Sequence, residues 1–189
     1  RSIQKSYAKG YEAYAEDIEE RYLHGEFYSA DSISRPDTTR YYTRMGRVVY
    51  GGGGITPDIF TPRDSTGINT YYLRLLRSGT FQRFAFSYAD RQRARLSALG
   101  SDKAILDYLQ AQGDQIVYAY ANYAQQHGVP QRPGHLQESL PILRRDLVAL
   151  IADMLGGDKN AYYRARNEQD PEVLTALERL ASPHWRPTK

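Results

Sequence analysis

Leu136, Leu140, Leu143, Leu147, Ile151 and Met154 recur at spacings of 4, 3, 4, 4 and 3, which puts all six on one stripe of an α-helix. A strand would need apolar residues at every second position, so this stretch is helical. A helix of this kind gains most of its stability from burying that face, so the stripe also demands neighbours. Sequence upstream supplies them with the same period. Ile68 to Arg77 forms a short helix, Phe81, Phe84, Tyr88, Leu96 and Leu99 mark a longer one, and Gly79 and Gly100 end them. Ser101 caps a helix carrying Ala104, Ile105, Tyr108 and Leu109, and Asp114 caps another carrying Ile116, Val117, Tyr120 and Ala124. Pro141 either kinks the long helix or marks its true first turn. Asp158 starts a short helix through Tyr163, and Asp170-Pro171 opens a last one on Val173, Leu174, Leu177 and Leu180.

Residues 1–62 follow a different grammar. Tyr7, Tyr11, Tyr14, Ile18 and Tyr22, spaced 4, 3, 4 and 4, form an aromatic stripe on a helix that ends at His24-Gly25. Tyrosine buries a large ring while keeping its hydroxyl wet, so the stripe suits either a core face or a polar-edged interface with another domain. Two short strands, residues 41–44 and 47–50, flank a turn at Met45-Gly46. Four glycines, at 51 to 54, then lead into Ile55-Thr56-Pro57-Asp58. The fold class expected is α+β and predominantly helical: an N-terminal helix, a short β-hairpin and Gly-rich turn, then a C-terminal helical bundle over residues 63–189. The loop holding Gly128, Pro130, Pro133 and Gly134 is the best candidate for a boundary inside the bundle.

Composition narrows the chemistry. The 189 residues contain no cysteine, which excludes disulfides, thiol nucleophiles and thiolate metal sites. No apolar run reaches the roughly 18 residues of a membrane-spanning helix. The four histidines, at 24, 127, 135 and 184, include no pair three or four residues apart, so no metal is expected. Ser6 and Lys9 fit Ser-x-x-Lys, but the motifs that accompany that nucleophile–base pair are absent. The glycine run lacks a following Gly-Lys-Ser/Thr and reads as a structural turn, not a phosphate cradle. Glu16 and Glu20 belong to a solvated helix face beside Arg21. No catalytic residue and no cofactor are expected. Residues 35–95 hold eleven arginines against four acids, within a net charge of +3 overall. That surface is basic enough to consider nucleic acid, although arginine outnumbers lysine throughout the chain.

The order of motifs carries more than any one of them. Tyr41-Tyr42-Thr43-Arg44-Met45-Gly46-Arg47 followed by Gly53-Gly54-Ile55-Thr56-Pro57-Asp58 resembles a segment of the C-terminal processing (tail-specific) serine peptidases, in which a Tyr-Tyr-Thr-Pro-Ser-Gly-Arg hairpin runs into Gly-x-Gly-Ile-x-Pro-Asp. Arg1-Ser2-Ile3-Gln4 is similar to the end of that hairpin, which makes residues 5–50 a long insertion. His24-Gly25-Glu26, residues 28–32 (Tyr-Ser-Ala-Asp-Ser), Ser139-Leu140-Pro141 and Ala161-Tyr162-Tyr163 resemble, in the same order, a branch of bacterial envelope peptidases. Arg44 and Met45 stand where the family hairpin has Pro and Ser.

The resemblance implies a parent that cleaves protein substrates near their C-termini through a Ser/Lys dyad, in the periplasm, envelope or extracellular space. Neither dyad residue has a counterpart in this chain, and the tail-binding PDZ domain would also lie upstream. The chain opens on Arg1 and reads as a processed protein or a fragment. On this reading Gly53, Gly54, Ile55, Pro57 and Asp58 are structural motif residues closing the peptidase core. Tyr7, Tyr11, Tyr14, Ile18 and Tyr22 are a candidate interface, and the helical region serves assembly or access to the active site, with a homo-oligomer as one expectation. The expected partners are the upstream peptidase core, the PDZ domain and protein substrates. The alternative is a stand-alone helical binding module that uses the Arg-rich surface on nucleic acid or another polyanion.

Overall fold

The computed structural model describes residues 8, 10–33, 39–44, 46, 48–50, 57, 59–155 and 159–182. Among them the helical periods become eight α-helices: α1 (Tyr11–Leu23), α2 (Thr70–Arg77), α3 (Thr80–Ser97), α4 (Asp102–Ala111), α5 (Gly113–Gln126), α6 (Pro133–Met154), α7 (Lys159–Asn167) and α8 (Pro171–Ala181). Two strands, β1 (Arg40–Tyr42) and β2 (Val48–Tyr50), lie between α1 and α2. The chain is therefore α+β and predominantly helical. It divides into two compact units, one of Arg1–Asp64 with Thr175–Lys189, the other of Ser65–Leu174.

In the second unit the aliphatic stripe organises everything else. α6 packs against α2, α3, α4, α5 and α7, and Leu143, Leu147 and Ile151 are fully buried at its centre. Around them lie Leu75, Phe81, Phe84, Leu96, Leu109, Ile116 and Val117, each worth about 1.5–3 kcal/mol on burial. Phe81, Phe84 and Tyr120 meet as tilted and edge-on rings with centroids 5.1 and 5.4 Å apart. The caps are local. Asn69 Oδ1 accepts from the Tyr72 N–H at 3.0 Å, Ser101 Oγ from Ala104 at 3.2 Å, and Asp170 Oδ1 from Glu172 and Val173 at 2.9 and 3.2 Å.

Three details differ from the sequence reading. α6 starts at Pro133, where a missing N–H costs nothing, so Pro141 lies inside the helix and not in its first turn. α5 starts at Gly113 with no side-chain cap, which leaves Asp114 in the first turn, complementing the helix dipole. The loop between α5 and α6 stays within the second unit instead of bounding it. Val129 explains why: it is buried, and its N–H returns to the Ala124 carbonyl at 2.9 Å.

The first unit is built differently. At the end of α1 the Gly25 N–H bonds the Tyr22 carbonyl at 3.1 Å and the Glu26 N–H bonds the Arg21 carbonyl at 3.1 Å. This double closure needs a left-handed residue, supplied by Gly25 at φ 79°. Glu26 is then buried with its carboxylate 2.7 Å from Arg21 Nε, and the Arg21 guanidinium lies over the Phe27 ring. The strands pair antiparallel in the register Arg40↔Tyr50, Tyr41↔Val49 and Tyr42↔Val48. Each strand is shorter than its sequence pattern, and Met45 of the expected turn lies outside the described residues. No residue of α1 is buried.

Candidate functional site

The tyrosine stripe of α1, suited to a core face or an interface, is unevenly covered. Tyr11, Ile18 and Tyr22 are 77%, 65% and 48% exposed, whereas Tyr14 is half-buried. Tyr7 lies outside the described residues. Tyr22 is held from the other side of the Gly25 turn: Tyr28 donates its hydroxyl to the Tyr22 hydroxyl at 2.8 Å, with the rings edge-on at 5.6 Å. That bond is the main reason the Tyr28 hydroxyl titrates above its ordinary value. Of the motif residues, Pro57 is described and exposed, whereas Gly53, Gly54, Ile55 and Asp58 lie outside the described residues.

The other resemblance motifs have structural work. Ser139 is fully buried and donates to the Gly67 carbonyl at 2.6 Å, tying α6 to the turn before α2. Ala161 is buried in the core, and Tyr162 and Tyr163 pack edge-on at 5.3 Å.

Asp146 is the second unit's one charged group buried among the described residues, at 7% exposure. It faces the core because it lies three residues after Leu143, one helical turn along. Its Oδ2 accepts from Tyr72 Oη of α2 at 2.8 Å. Its Oδ1 accepts from Arg166 Nη1 of α7 at 2.9 Å and from Arg145 Nε at 3.1 Å. One carboxylate thereby joins three helices, and two guanidiniums offset its desolvation. Burial first, and the Asp146 charge second, raise the Tyr72 hydroxyl well above its ordinary pKa. A second chain runs from Ser78 Oγ to Thr80 Oγ1 at 2.7 Å and on to Tyr120 Oη at 3.0 Å. Burial pushes Tyr120 up to about 12.

Beside the Asp146 cluster a groove of about 240 Å³ opens between α6, the α4–α5 junction and the end of α7. Leu140, Pro141, Val148 and Ala165 form its apolar lining, and Arg144 and Arg145 contribute guanidiniums. Leu140, expected in the core, is half-buried there. Sequence reasoning missed this site. The available signal was Asp146, a carboxylate on the buried side of an aliphatic stripe and flanked by arginine.

Three arginines of the basic segment are engaged by the fold. Arg83 donates through Nη2 to the Ser78 carbonyl at the end of α2, and Arg93 donates to the Met154 and Leu155 carbonyls at the end of α6. Both neutralise helix C-termini. Arg95 stacks over the Tyr108 ring at 4.9 Å. His127 stacks on Tyr123 at 4.0 Å and contacts its carbonyl through Nδ1. Ser6, Lys9 and His184 lie outside the described residues. Among the described residues no three His, Asp or Glu side chains gather as metal ligands, and no helix is long and apolar enough to cross a membrane.

Comparison with known proteins adds one likeness. No curated protein and no solved structure matches the chain. Residues 71–157, spanning α2 through α6, are similar to a family of unknown function (DUF8443).

Proposed function

We propose that the chain is the non-catalytic C-terminal region of a tail-specific serine endopeptidase, whose Ser/Lys dyad and PDZ domain lie upstream in the same polypeptide. The parent cleaves protein substrates near their C-termini in the periplasm or outside the cell. In this reading residues 1–62 belong to the edge of the peptidase core, and the helical unit serves assembly or controls access.

One observation supports this above the others. Every buried hydrophobic residue among those described lies between Tyr71 and Ala165, in the second unit. Among its described residues the first unit has a well-formed helix with an apolar face and a hairpin of three-residue strands, but no buried hydrophobic residue. A two-stranded ribbon is at best marginally stable alone, and an amphipathic helix gains its stability from a surface to cover. Such a segment fits the margin of a larger sheet domain, which is where the motif order places it.

The test is hydrogen exchange on this chain and on the full polypeptide that includes the upstream region. Amides of α1 should exchange far faster than those of α6 in this chain and become protected in the longer one, which alone should hydrolyse an unfolded substrate. Equal protection of α1 in both, or hydrolysis by this chain alone, overturns the reading.

A further inference from the structure

Ser65 to Ala89 contains Arg74, Arg77 and Arg83 and no aspartate or glutamate. Packing turns that bias into a surface. α2 buries Tyr71, Tyr72 and Leu75, which leaves Leu73, Arg74, Leu76 and Arg77 on its outer side. Leu73 and Leu76 are 38% and 39% exposed. The Arg74 and Arg77 guanidiniums make no hydrogen bond or ion pair among the described residues. α3 buries Phe81, Phe84, Ala85 and Ala89, which turns Phe86 outward at 58% exposure.

Arg83 joins the two helices at their corner, donating to the Ser78 and Gly79 carbonyls while its own charge stays exposed. Leu73 lies one turn before Arg77, and Phe86 lies one turn beyond Arg83. The first acid past the corner, Asp90, is a further turn along α3 and stands 3.7 Å from Arg93. Three guanidiniums outweigh the partial negative charge at the end of α2. The corner is therefore cationic, with apolar tips beside its charges.

Three occupants suit a cationic surface, and the apolar tips separate them. Nucleic acid would engage the arginines but set Leu73 and Leu76 against a phosphate backbone that offers them nothing. A specific protein complex buries about 800 Å² on each side in complementary packing. Three partly exposed side chains on the outer backs of two helices offer far less apolar surface than that. An anionic bilayer needs no complementary shape. Its headgroup layer supplies negative charge, the hydrocarbon boundary beneath takes aliphatic and aromatic tips, and an arginine stem spans the two depths. We therefore infer that the α2–α3 corner docks the chain on a bilayer containing anionic phospholipid, with Phe86, Leu73 and Leu76 entering the interface and Arg74 and Arg77 at the phosphates. This inference rests on α2 and α3 alone and is independent of the proposed peptidase parentage.

Co-sedimentation of the whole chain with phosphatidylcholine vesicles, with and without about 30% phosphatidylglycerol, tests it. At low salt half of the chain should sediment at roughly millimolar anionic-vesicle lipid, with at least about tenfold weaker binding to phosphatidylcholine alone. Salt at about 0.5 M should release most of it. Arg74→Gln combined with Arg77→Gln should weaken binding roughly 25-fold, about fivefold for each charge. Phe86→Ser should weaken it roughly tenfold. Both variants should keep the circular dichroism melt of the parent chain, because each replaced side chain is exposed. Equal sedimentation with the two vesicle types, unchanged vesicle binding in both variants, or tighter binding to a single-stranded DNA oligonucleotide than to anionic vesicles would overturn it.

Discussion

Replacing Tyr72 by Phe isolates one bond of the Asp146 cluster while keeping the ring in the core. The lost bond is 2.8 Å long, joins α2 to α6, and ends on a carboxylate that is 7% exposed. Hydrogen bonds to a charged group contribute about 1.5–3 kcal/mol. Asp146 Oδ1 keeps both guanidiniums, so the carboxylate stays neutralised, but Oδ2 loses the bond that offset its burial. The expected loss is about 2 kcal/mol, a melting-temperature drop of about 4–8 °C for a chain of this size. Arg166→Ala removes a 2.9 Å contact, but that side chain is 41% exposed, so solvent screening reduces its loss to about 1 kcal/mol or less. Urea denaturation of the parent chain, both single variants and the double variant, followed by circular dichroism at neutral pH, measures each loss and their coupling. The argument that burial sets the ranking is refuted by a Tyr72→Phe loss below about 0.5 kcal/mol, or by an Arg166→Ala loss larger than that of Tyr72→Phe.

Ser139→Ala should cost about 1 kcal/mol, because a buried 2.6 Å bond disappears and the Gly67 carbonyl is left without it; thermal melts check this. Alkaline titration gives an independent readout. Tyr71, Tyr72, Tyr88 and Tyr120 all have hydroxyls raised in the folded state, chiefly by burial. The folded chain then holds protons that the unfolded chain releases near pH 10, so their contribution is intact below about pH 10 and is lost as the pH climbs through the folded values. Tyr120, at about 12, accounts for about 3 kcal/mol of that loss. Urea midpoints between pH 8 and pH 11 should fall more gently for Tyr120→Phe than for the parent chain, and identical slopes would discard this account.

Capping and period were legible because they are local. Ser101 and Asp170 sit within three residues of the N–H groups they satisfy. Leu143, Leu147 and Ile151 could be assigned to the core from spacing alone. Leu140 belongs to the same stripe and is half-buried, because α6 is surrounded unevenly and a groove opens at its level. The tyrosines divide the same way. Tyr120 is fully buried against Thr80, whereas Tyr11 is 77% exposed, although each occupies the apolar stripe of its helix. Periodicity names a face and says nothing about whether a neighbour arrives to cover it.

By itself the sequence determined that this is a helical α+β chain, roughly where its helices run, and which face of α6 is apolar, since backbone period and capping act over a few residues. The tertiary structure alone decided that Asp146 is a junction and not a surface charge, since its partner Tyr72 is 74 residues away. It also decided that Arg144 crosses α5 at Gly113, that Arg83 and Arg93 close helix ends, and that the first unit carries no buried hydrophobic residue among the described residues. Each of these outcomes depends on which helices meet. That is a property of the packed chain, because the free energy of a buried charge or an apolar face is set by what surrounds it.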